Sequence, residues 1–187
     1  GNTLAALEDE VRAAKASLRR TAFQFMRDTP PDPRNNVWGW AIAQMMATAP
    51  PAETAEKIAY LTYMSRNLNS DCGCYIVGNV RHAVTSAWAL ISYARLGQAP
   101  PAAVLNGVLA AQKSEGWWSS ALDAADDVDN ASLYVTALMT MALRAVAAEP
   151  SLDSRQAGAV NRAVRSATSW LSRLKADPDG AWRDYPS

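Results

Sequence analysis

Apolar side chains recur at three- and four-residue spacing along almost the whole chain, and the two-residue alternation of a half-buried strand is nearly absent. Proline and glycine cut this pattern into seven predicted helices. The first spans 4–28 and is stopped by Pro30, Pro31 and Pro33. The second spans 36–48 and ends before Pro50 and Pro51; the third spans 52–68 and runs into the turn around Asp71–Tyr75. The fourth, 79–97, stops at Gly97, and the fifth, 101–114, at Gly116. Asp129 or Asn130 is a natural N-cap for the sixth, 130–148, and Asp153 for the seventh, 153–175.

After the first helix the pattern repeats. Residues 84–96 and 135–146 both begin Val-Thr and continue with mixed small and large apolar residues, and 37–48 fits the same slot. These three segments are apolar almost all round, as buried helices are. Each is followed by a more amphipathic helix and then by a turn containing glycine and an aromatic residue. The chain therefore reads as a single all-α domain, 1–187. It holds helical-hairpin repeats over 37–78, 79–129 and 130–187, preceded by the helix 4–28. One hairpin cannot bury its own apolar face, so the hairpins must stack.

Composition narrows the function classes. Eighteen basic residues balance eighteen acidic ones, which argues against a nucleic-acid partner or an anionic membrane surface. No apolar run approaches the length of a membrane span. Residues 4–20 read as an amphipathic helix and not as a signal peptide. Only four of the eighteen basic residues are Lys, and Ala is abundant, a bias that suits a GC-rich bacterial genome. The two cysteines, Cys72 and Cys74, stand too close for an easy mutual disulfide, so a reducing, cytoplasmic setting is the expectation.

The turn Gln112-Lys113-Ser114-Glu115-Gly116-Trp117-Trp118 resembles the Q-x3-G-x-W core of the repeat found in the squalene cyclase and prenyltransferase superfamily of α/α-toroids. A degenerate second copy ends Asp179-Gly180-Ala181-Trp182, and a weaker third lies at Asp71–Tyr75. Glycine permits the tight turn, the indole buries a large area between hairpins, and the Gln amide satisfies orphan backbone groups at a helix end. The resemblance implies a ring of stacked hairpins. A closed ring of six needs roughly 250–300 residues at about 45–50 per hairpin. This chain supplies about three and a half, so it is expected to form an arc or incomplete toroid.

Four sites are candidates for chemistry, each beside a plainer role. Asp127-Val128-Asp129-Asn130-Ala131 resembles the acidic motif of the superfamily's terpene cyclases, in which a carboxylic acid held protonated by burial donates to an alkene or epoxide. Asp129 would be that acid with Asp127 beside it, although Asn130 stands where the motif has a further Asp. The plainer role is helix capping. Asp71, Cys72, Cys74 and His82 carry zinc-ligand chemistry, and the superfamily's protein prenyltransferases hold zinc with Asp, Cys and His. The plainer reading is one buried Cys, one turn Cys and a polar helix His. A thioester, which some of the superfamily's domains form from Gly-Cys-Gly-Glu-Gln, is ruled out by the missing Glu-Gln. Trp38, Trp40, Trp88, Trp117 and Trp118 could together line a ligand cleft or partner groove, or could pack in the core.

With an unfinished ring and no complete catalytic set, the expected function is a non-catalytic helical-repeat binding or scaffold module, part of a larger bacterial protein or assembly. It would use a protein partner or self-association through the exposed ends of the arc. The alternative expectation is a terpene-cyclase or prenyltransferase-like enzyme domain acting on an isoprenoid through Asp127 and Asp129.

Overall fold

A computed structural model describes residues 2–51, 53–150 and 152–174. The predicted copy at Gly180 and Trp182 lies outside them. Among the described residues the chain is all-α apart from one small hairpin. Its elements are α1 (Asn2–Asp28), α2 (Gly39–Thr48), α3 (Thr54–Arg66), β1 (Ile76–Val77), β2 (Val80–Arg81), α4 (Ala83–Arg95), α5 (Ala102–Ala110), α6 (Leu133–Ala147) and α7 (Ser154–Arg173). The three helices read as apolar all round pack side by side, with α4 between α2 and α6. Small residues at the contacts, among them Ala43, Ala47, Ala87, Ser86 and Ala142, are buried and let these backbones approach closely. The amphipathic helices lie around this row: α7 packs on α6, α5 touches α4 and α7, and α1 lies on α3.

Several boundaries differ from the sequence pattern. Residues 76–81 form an antiparallel hairpin, not the start of α4, with Ile76 opposite Arg81 and Val77 opposite Val80. Its turn is Gly78-Asn79, with φ of 56° and 67°. Positive φ at both turn residues matches the right-handed twist of the flanking strands. His82 then becomes the N-cap of α4, its side chain accepting from the Thr85 amide. The cap of α6 is neither Asp129 nor Asn130 but Ser132, whose hydroxyl accepts from the Val135 amide. Residues 128–130 instead form a separate 3-10 turn capped by Asp127. Asp153 caps α7 as expected, accepting from the Gln156 amide at 2.8 Å.

Two glycine turns among the described residues, one after α3 and one after α5, do the same work. Gly116 has φ of 104°, and a Cβ there would lie 2.5 Å from the Ser166 carbonyl oxygen of α7. Gly73, at φ of 60°, lies equally tight on Ala103 of α5, where a Cβ would meet the carbonyl oxygen at 2.6 Å. After each glycine comes a fully buried aromatic, Tyr75 or Trp118. The Tyr75 carbonyl accepts from the His82 amide at 2.7 Å, and the Trp118 carbonyl from the Ser132 amide at 3.1 Å. Each turn thus touches the next amphipathic helix and fixes the cap residue of the next buried one. Gln112 adds a further tie, its Nε2 donating to the Gly116 and Ala163 carbonyls, both at 2.9 Å.

Candidate functional site

The residues proposed from sequence do not converge. Asp127 and Asp129 lie on the exposed loop between α5 and α6. Asp127 accepts from the Asp129 amide at 3.2 Å, a capping contact. The neighbouring Asp123 pairs with Arg81 at 3.4 Å, both about half exposed. An acid that must stay protonated needs desolvation, and this loop supplies none.

Cys72 and Cys74 are joined in a disulfide, contrary to the expectation of two free thiols. The left-handed Gly73 between them doubles the backbone back and brings their Cα atoms to 5.2 Å, within disulfide reach. In this form neither sulfur is a thiolate. Asp71 is exposed. His82 Nδ1 is 2.8 Å from the Thr85 hydroxyl, and burial lowers its pKa below 6.5. Among the described residues no three of His, Cys, Asp and Glu gather where an ion could sit.

The five tryptophans divide between core and surface. Trp117 and Trp118 are buried, the latter donating from Nε1 to the Val108 carbonyl at 2.9 Å. Trp88 is half-buried against the core. Trp38 and Trp40 remain 59% and 42% exposed at the start of α2.

What the structure does assemble is an apolar surface at the α1–α2 end. A groove of about 440 Å³ runs between the two helices, walled chiefly by Leu18, Ala22, Phe25, Trp38, Ile42 and Met45. Phe25 holds Trp38 edge-on, with ring centroids 6.3 Å apart. Beneath them Tyr63 donates to Asn36 Oδ1 at 2.7 Å, and burial pushes the Tyr63 pKa up to about 12. Asn36 in turn donates its amide to the Ile76 carbonyl at 2.7 Å, tying the groove floor to the β-hairpin. The indole is therefore mounted on a fixed base. Beyond the groove α1 continues outward, and every residue from Thr3 to Leu18 is exposed, including Leu4, Leu7 and Val11. The sequence marked Trp38 and Trp40, but it gave no sign that α1 would leave the body and carry its apolar stripe into solvent.

Compared with models of known protein families, with curated proteins and with solved structures, the chain matches none. Among the described residues no helix is long and apolar enough to cross a membrane.

Proposed function

We propose that this chain is a non-catalytic helical-repeat module that binds protein through the α1–α2 surface. One observation carries the reading: an apolar face, from Leu4 along α1 to the groove at Trp38, stands uncovered. Exposed apolar patches of this kind mark interaction sites. A rigidly seated, half-exposed indole is the side chain most often found at the energetic centre of such contacts. The stacked hairpins supply a stiff support, and we read them as an arc of a larger ring. The reading needs no cofactor. The exposure of Asp127 and Asp129, and the capping contact that Asp127 makes to the Asp129 amide, favour structural work over acid catalysis. In a cytoplasmic setting the Cys72–Cys74 pair would be held reduced, and in an oxidising one as the disulfide. Protein reduced and purified without chelator is expected to carry no stoichiometric zinc; one equivalent by metal analysis would reinstate the metal site.

The direct test places a photo-cross-linking phenylalanine analogue at position 38 of the protein in its native cells. A discrete protein adduct, lost when Leu18→Glu disrupts the groove wall, is expected. A folded protein that yields no protein adduct from position 38 would contradict the reading.

A further inference from the structure

We infer that the partner on this surface is a second copy of the chain, bound through antiparallel pairing of α1; the inference rests on the docking reading above. Leu4, Leu7, Val11, Ala14 and Leu18 recur at alternating three- and four-residue spacing, followed by Thr21 and Phe25. This is the seam of a two-helix coiled coil. Its first part is uncovered by its own chain: every residue from Thr3 to Leu18 is exposed, Leu4, Leu7 and Val11 among them. A free helical arm of this length is marginal in water. Its order and its apolar seam both call for a second helix.

Charge selects the partner and its direction. Glu8, Asp9 and Glu10 form an acidic block, and Arg12, Lys15, Arg19 and Arg20 form a basic one immediately after it. Within the chain Arg12 pairs with Asp9 at 3.3 Å and Arg19 with Glu56 at 2.5 Å, which leaves Glu8, Glu10, Lys15 and Arg20 outside the described ion pairs. A parallel copy would set acid beside acid and base beside base. An antiparallel copy sets each acidic block beside the basic stretch of the other, the arrangement opposite charges favour. Layering Leu7 of one copy on Leu18 of the other, and Val11 on Ala14, also brings Glu8 beside Lys15 twice by symmetry. In that register Leu4 lies over Thr21 of the other copy, at the lip of the groove walled by Leu18, Phe25 and Trp38. The contact is isologous and closes on itself. The overlap of residues 4–21 is about 27 Å long. With the two grooves it buries an area of the order of 1,000 Å², the low end for a specific interface, so a micromolar dimer is expected.

Sedimentation equilibrium of the intact chain from about 1 to 100 μM tests this. A monomer–dimer equilibrium is expected, with Leu7→Glu and Leu18→Glu monomeric throughout. Glu8→Lys and Lys15→Glu should each weaken the dimer roughly tenfold, and the double reversal should restore it. Residues 7, 8 and 15 are exposed on the outer half of α1, so these variants are expected to keep the body folded, and circular dichroism verifies that. A wild-type chain that stays monomeric at 100 μM overturns the inference, as does a dimer indifferent to Leu7→Glu or a double reversal that fails to rescue. If the chain is monomeric yet position 38 cross-links to a different protein, the docking reading stands and only the identity of the partner falls.

Discussion

Gly116 and Gln112 hold the turn after α5 against α7 with a handful of atoms. A Cβ at Gly116 would strain a positive φ and strike the Ser166 carbonyl, which belongs to the backbone of α7 and cannot swing aside. Gly116→Ala is expected to cost about 2–3 kcal/mol in chemical denaturation. Gln112→Ala leaves two carbonyls short of a donor and should cost about 1–3 kcal/mol. The left-handed turn at Gly116 was legible in the sequence, whereas the Gln112 amide reaches the Ala163 carbonyl in the middle of α7 and not an orphan group at a helix end. Cys72 and Cys74 show the opposite. Spacing alone argued against their bond, and only the left-handed Gly73 between them makes it. His82 carries a pH dependence. Burial lowers its pKa below 6.5, so the folded state takes up its proton later than the unfolded chain does. Its contribution is complete above pH 6.5 and is lost as pH falls through the lower folded value. A positive charge at the N-terminus of α4 would act in the same direction. Denaturation midpoints at pH 7 and pH 5.5 should show this loss in the wild type and a flatter profile in His82→Asn, which keeps a capping side chain.

At the scale of elements, periodicity located all seven described helices, because long apolar periodic segments leave little choice of structure. It missed several of their ends, although α1 stops at Asp28 and α2 at Thr48 as the pattern predicts. Helix α4 begins at Ala83 because Ile76 and Val77 pair with Arg81 and Val80 across the Gly78-Asn79 turn, a turn chemistry hidden by the surrounding helical pattern. The start of α6 misled for another reason. Asp127, Asp129, Asn130 and Ser132 are all good caps, and a run of caps does not say which one is used. The structure gives that work to Ser132. Ser132→Ala should therefore destabilise by about 1 kcal/mol, while Asp129→Ala should stay within about 0.5 kcal/mol. A reversed order in paired denaturation curves would return Asp129 to a central role.

Over the whole molecule, the apolar row α2–α4–α6 follows from sequence, since helices apolar on all sides have to be enclosed by others. The uncovered face does not. Residues 4–28 are patterned like any amphipathic helix, and nothing in that pattern tells a stripe that packs within the chain from one that waits for a partner. Only the placement of α1, anchored by Met26 and by the Arg19–Glu56 pair while its first half runs free, separates the two. If that free half is the docking element, its order depends on what it binds. Hydrogen–deuterium exchange of amides 4–18 in the intact chain, at about 1 and 100 μM, reads this directly. The account predicts fast exchange in the dilute sample and clear protection in the concentrated one, with α4 and α6 unchanged in both. Exchange of residues 4–18 that is equally fast or equally slow at both concentrations would contradict it.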